Sequence, residues 1–159
     1  ADGVQWLGEF PNLVVSRTFS KAWGLAGLRM GYGISSPAIA DVINRVRQPF
    51  NANALAQAAA TAVLDDQAYI DRAIEVNRAG LEQLANGFDR LGLDYIPSGA
   101  NFIALDTGQD AGEVNDALLR EGVIVRPVGA YGMPRHLRVS VGLEHENRRC
   151  LEALEKVLG

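Results

Sequence analysis

The sequence predicts a mixed α/β protein built from two bodies of structure. Three observations lead there. Two short β-branched runs bracket a polar, glycine-broken loop near the N-terminus. Three helical patterns follow. From Asp94 onward the order becomes strand, strand, helix, strand, strand, helix.

Asn12 to Ser16 after Pro11 is the first β-branched run and Gly31 to Ser35 the second, and both read as buried strands. Between them Arg17 to Met30 has neither period and reads as a functional loop with some helical turns. Pro37 to Gln48 sets Ala38, Ile39, Val42, Ile43 and Val46 at three-and-four spacing, which predicts an amphipathic helix stopped by Pro49. Asn53 to Leu64 is alanine-rich and almost uncharged, as expected of a buried helix or one at a subunit interface.

Gln67 to Leu91 repeats apolar residues at helical spacing from Ile70 to Leu91, and its length suits a connector. The predicted division is therefore 1–66, then 67–159 with 67–91 as the connecting helix. In the second part, Tyr95-Ile96, Asn101 to Leu105, Val123 to Arg126 and Leu137 to Val141 read as strands. Ala111 to Glu121 and Glu144 to Leu158 read as helices.

Composition narrows the function classes. Of 159 residues, 48% are hydrophobic and 21% charged. No run approaches the ~18 consecutive apolar residues of a membrane span, and the N-terminus lacks a signal-peptide layout. With Lys+Arg 15 against Asp+Glu 19, net −4, there is no basic footprint for nucleic acid. Cys150 is the single cysteine, which excludes an internal disulfide and fits a reducing cytoplasm. His136 and His145 have no matched carboxylate spacing, so no metal site is expected. The chain does not begin with Met and its richest motif lies near its start, so a piece of a longer protein is expected.

That motif centres on Lys21. Phe19, Ala22 and Trp23 flank it, Thr18 and Ser20 offer hydroxyls, and Arg29 follows at a short distance. An apolar setting makes a lysine amine a nucleophile toward aldehydes. Two hydroxyls and a guanidinium suit a phosphate. Pyridoxal 5′-phosphate carries both groups. Taken alone, a lysine between hydroxyls is more often a solvated surface residue. The glycines at 24, 27, 31 and 33 match neither a dinucleotide-binding fingerprint nor a phosphate-binding P-loop.

Ser16-Arg-Thr-Phe-Ser-Lys-Ala-Trp-Gly-Leu-Ala-Gly-Leu-Arg-Met-Gly-Tyr32 closely resembles the cofactor-lysine segment of fold-type I aminotransferases, in particular the histidinol-phosphate aminotransferase group. Segments 48–53, 98–102, 123–127 and 137–142 follow in the family's order, so the resemblance covers nearly the whole chain. It implies the end of a large pyridoxal-phosphate-binding domain followed by a small C-terminal α/β domain. Lys21 would form the Schiff base and carry the proton between substrate and cofactor, with Thr18, Ser20 and Arg29 on the cofactor phosphate. Arg138 would clamp the substrate's anionic end, with Arg126 and Asn101 nearby. Trp23, Tyr131 and Cys150 read as packing, and Tyr32, Asn51 and Asn53 are left without a role.

The implied reaction passes an amino group from glutamate to imidazole-acetol phosphate in histidine biosynthesis, in a cytoplasmic homodimer. An aromatic amino acid aminotransferase and a threonine-phosphate decarboxylase-like enzyme are alternatives. An inactive oligomerisation module is a third, from a different class. The family's aspartate for the ring nitrogen and its stacking aromatic match nothing in this chain, so the chain by itself is expected to be inactive.

Overall fold

The structure is a computed structural model that describes residues 2–159, and it divides into two compact units that meet in sequence between Ala73 and Ile74. In the first unit, Asp2 caps a 3-10 turn at Gly3–Trp6, its Oδ1 accepting from the Val4 N–H at 3.1 Å. β1 (Val14–Thr18) and β2 (Gly31–Ser35) pair antiparallel, from Val14 opposite Ser35 to Thr18 opposite Gly31. They form a two-stranded ribbon that leaves most of their side chains accessible; only Val15 is buried. The expected buried strands are thus exposed, because among the described residues no further strand joins the ribbon.

α1 (Pro37–Val46) opens on Pro37, whose missing N–H costs nothing in a first helical turn. Its apolar stripe exists as the spacing requires but stands open, with Val46 79% exposed. α2 (Ala54–Val63) is capped by Asn53, whose Oδ1 accepts from the Ala56 N–H at 2.9 Å. Ala56 and Ala60 are its buried residues, while Leu55 is 77% exposed. The burial expected for this helix is therefore confined to one narrow strip. α3 (Gln67–Arg90) is one unbroken helix, and the boundary between the units falls inside it rather than at its start.

The second unit is a two-layer sandwich. Its sheet runs β3-β4-β6-β5 with every pair antiparallel, from β3 (Tyr95–Ile96), β4 (Phe102–Asp106), β5 (Arg126–Pro127) and β6 (His136–Ser140). Alternation along the strands sends Ile103, Leu105, Leu137 and Val139 to one face. There they meet Leu84 and Phe88 of α3, Val114 and Leu118 of α4 (Ala111–Arg120), and Leu151 and Leu154 of α5 (Glu144–Leu158). Burying each such side chain contributes about 1.5–3 kcal/mol, which makes this face the stable floor of the unit. The opposite face carries Phe102, Ala104, Asp106, His136, Arg138 and Ser140, none of which belongs to that core.

Close contacts fix α3 on this unit. A Cβ at Gly87 would lie 2.4 Å from both Leu151 methyls, so α5 approaches to a distance only glycine permits. Asn147, 2% exposed, uses both ends of its amide. It accepts from the Gly142 N–H (2.8 Å) and donates to the Gly142 carbonyl (3.1 Å) and to Gln83 Oε1 (2.9 Å). Gln83 Nε2 in turn donates to the Glu144 carbonyl at 3.0 Å. The turn after β6 is thereby tied to α3.

Candidate active site

The loop between β1 and β2 is closed by its own backbone. The Phe19 N–H donates to the Met30 carbonyl (3.1 Å), the Leu25 N–H to Phe19 (2.9 Å) and the Gly24 N–H to Lys21 (2.9 Å). Phe19 is buried and stacks at a tilt on Trp23 and Tyr32, with centroids 6.5 and 5.8 Å away. These aromatics anchor the loop and do not enclose the lysine. Lys21 itself is exposed, so the apolar wall expected around it is absent from this chain's own residues.

Beside Lys21 the hydroxyls and the arginine converge. Thr18, at the end of β1, accepts from the Ser20 N–H through Oγ1 at 3.1 Å. Ala26–Leu28 forms a 3-10 turn, and Arg29 after it takes a left-handed φ of 53°, unusual for a residue with a side chain. That conformation folds the guanidinium back: Nη1 donates to the Ala26 carbonyl at 2.9 Å and reaches Ser20 Oγ at 3.4 Å. Thr18, Ser20 and Arg29 line an open pocket of about 350 Å³, together with Ser16, Arg17 and Met30. Arg17 also pairs with Asp2. Sequence reasoning missed its place at the pocket wall, since nothing in its spacing marks it.

The second unit holds a different cluster. Register pairs Arg126 with Arg138 across β5 and β6, and Ala104 with Arg138 across β4 and β6. Directly paired residues project from the same face, here the one opposite the core. The Arg138 guanidinium carbon lies 5.3 Å from the Phe102 ring centroid, and its Nε is buried without a hydrogen-bond partner. Among the described residues neither Arg126 nor Arg138 makes an ion pair. Asp106, the carboxylate on that face, is engaged elsewhere. The Gly108 N–H (2.9 Å) and then Arg135 Nη2 (2.6 Å) hold its carboxyl below the ordinary aspartate range.

Like charges placed opposite one another destabilise a sheet, so this pairing is a cost to the fold. Asn101 is a different case. Its carbonyl accepts from the Val141 N–H at 2.9 Å, extending the β4–β6 ladder. In the alternation of β4 it falls with Ile103 and Leu105, not with Phe102 and Ala104, so register does not bring it to the arginines.

The sequence model of the family described as aminotransferase class I and II matches residues 1–156 of the chain. The chain belongs to that family. This aminotransferase chain is 61% identical over 157 residues to histidinol-phosphate aminotransferase 2 of Pseudomonas fluorescens (strain Pf0-1), an alignment that takes in 99% of the chain and 42% of the relative. It therefore spans about two-fifths of the length of such relatives.

Its fold superposes on the histidinol-phosphate aminotransferase of Sinorhizobium meliloti in complex with pyridoxal-5'-phosphate. The TM-score is 0.84 at 34% identity, covering 93% of this chain and 41% of that one. The enzyme of the same name from Clostridium acetobutylicum gives a TM-score of 0.91 at 24% identity over 98% of this chain and 48% of that one, a likeness of fold. The aminotransferase chain thus has the α/β fold of fold-type I pyridoxal-phosphate enzymes, as the resemblance implied.

Proposed function

We propose that the complete protein carrying this chain is a pyridoxal 5′-phosphate-dependent histidinol-phosphate aminotransferase. It would move an amino group from glutamate to imidazole-acetol phosphate, giving histidinol phosphate and 2-oxoglutarate. The observation that carries the reading is the return of Arg29, through its left-handed backbone, to the Ser20 hydroxyl next to Lys21.

The residues present fit the cofactor. A pocket with two hydroxyls and a guanidinium suits a phosphate, and Lys21, next in sequence to the Ser20 of its lining, is exposed and so free to meet an aldehyde. When bound, pyridoxal phosphate supplies that aldehyde and a ring that stabilises negative charge at the amino acid's Cα. Thr18, Ser20 and Arg29 would hold the phosphate. Lys21 Nζ would anchor the cofactor and would be the base that takes the proton from the substrate's Cα and passes it on. Arg138 and Arg126 grip the anionic end of the substrate, for which guanidinium geometry suits carboxylate and phosphate alike. Register sends Asn101 to the other face from these arginines, so no substrate contact is assigned to it.

In this reading residues 1–66 are the tail of the large domain, 67–159 the small domain and 67–91 the connecting helix. A homodimer accounts for the open apolar surface of α1, α2 and the turn between them, where Val46, Leu55 and Phe50 are all exposed. A cytoplasmic location agrees with the single reduced cysteine, and no described helix is long and apolar enough to cross a membrane. The same apolar surface favours the second reading, an oligomerisation module without activity.

The test is made on the complete protein. Turnover of imidazole-acetol phosphate well above that of phenylpyruvate supports the assignment. The reverse preference points to aromatic substrates, and carbon dioxide release to a decarboxylase. Yellow absorbance on adding pyridoxal phosphate, lost in Lys21→Ala, separates the enzyme from the inactive module.

A further inference from the structure

The turn that presents Lys21 rests against α3. Gly24 has a φ of 70°, and a Cβ built on it would lie 2.6 Å from the Tyr69 hydroxyl oxygen and 3.7 Å from the ring carbon bearing it. The phenol therefore fills the space a side chain at position 24 would take. Gly24 is bound to the lysine through one link, its N–H donating to the Lys21 carbonyl. The backbone at Tyr69 is held: its N–H donates to Asp66 Oδ1 at 3.0 Å in the first turn of α3, and neighbouring Ile70 is buried, while Tyr69 as a residue is 38% exposed. Among the described residues the Tyr69 hydroxyl has no hydrogen-bond partner, so its contribution here is steric. The contact lies wholly within the first unit.

We propose that Tyr69 is a positioning residue for Lys21, a stop against which the Lys21–Gly24 turn is set; this rests on the reading of Lys21 as the cofactor lysine. Without the stop, Gly24 moves toward α3 and carries the Lys21 backbone with it. The amine then samples positions away from the cofactor aldehyde and the substrate Cα. A displacement of about 1 Å in a proton-transferring group is enough to cost one to two orders of magnitude in rate.

The experiment uses the complete protein loaded with pyridoxal phosphate, reading kcat, KM and the pH midpoint of the yellow absorbance. Tyr69→Leu is expected to lower kcat about tenfold and shift that midpoint, with KM for the anionic substrate within about twofold. Tyr69→Phe, which removes only the hydroxyl, should act in the same direction by about twofold. The contact itself is read from a cycle: Gly24→Ala should cost about threefold less in a Tyr69→Phe background than with Tyr69 present.

An equal Gly24→Ala penalty in both backgrounds overturns the proposal, as does a Tyr69→Leu protein with unchanged midpoint and kcat, or one that is merely less stable. If Tyr69→Leu does not fold, the Phe-based cycle decides alone. Yellow colour surviving in Lys21→Ala would instead remove the lysine assignment on which the proposal rests.

Discussion

Arg126 and Arg138 face each other as a direct cross-strand pair on the side of the sheet opposite its core. If the pair binds the substrate's anionic end, replacing either with Ala in the complete protein should raise KM for imidazole-acetol phosphate by about tenfold to a hundredfold, the worth of a charge-assisted hydrogen bond. Steady-state kinetics against phosphorylated and unphosphorylated amino acceptors checks this. An Arg126→Ala enzyme with unchanged KM for both would restrict the grip to Arg138.

Arg29 combines a needed charge with an unfavoured backbone. Arg29→Ala and Arg29→Gly should both weaken pyridoxal phosphate binding by at least about tenfold. Their stabilities should part, however. Glycine accepts φ of 53° freely, so the Gly variant is expected to unfold about 1 kcal/mol later than the Ala variant. Absorbance titration and urea unfolding measure the two effects separately.

Asn147 satisfies two peptide atoms of Gly142 and the Gln83 amide at once. Asn147→Leu leaves those buried groups without partners and should destabilise by about 2–4 kcal/mol in denaturant unfolding. Asn147→Asp places an oxygen where the amide donated, and at neutral pH it should fare no better.

Gly87→Ala drives a methyl into Leu151 and should cost about 1–3 kcal/mol as an overpacked core. Combining it with Leu151→Ala opens the space again. The double variant is therefore expected to lie above the sum of the two single losses, as seen by thermal unfolding.

Burial pushes the Cys150 thiol up to about 11, because the charged thiolate is poorly solvated inside α5. Between pH 7 and 9 the folded protein should therefore react slowly with an aromatic disulfide reagent, the rate climbing about tenfold per pH unit without levelling off, because the thiolate remains a minor species throughout. In urea the rate should rise through the ordinary thiol range near ~8.5. Fast reaction of the folded protein at pH 8 would contradict the burial.

The parts of the fold that local chemistry dictates were readable in advance. α1, α3, α4 and α5 follow from apolar spacing, and the Lys21 loop from its residue types. The β5 strand was not readable: Val123 to Arg126 has strand composition, yet only Arg126 and Pro127 join the ladder. The Val123 N–H instead donates to the Leu118 carbonyl as α4 closes, and its side chain is buried in the core.

Burial of β1 and β2 was misjudged for a related reason. Composition says that a strand is apolar but not which layer covers it. At the site, residue types marked Lys21, Thr18, Ser20 and Arg29. The left-handed turn at Arg29, the register of Arg126 on Arg138 and the seat of Tyr69 on Gly24 are tertiary facts that no spacing in the sequence encodes.

The boundary between the two units lies within α3, whose 24 residues make a rod about 36 Å long at 1.5 Å per residue. A protease sent to separate them meets hydrogen-bonded backbone where a flexible tether would ordinarily be cut. Mild digestion should therefore spare Ala73–Ile74, and the halves should come apart only after that rod has unwound.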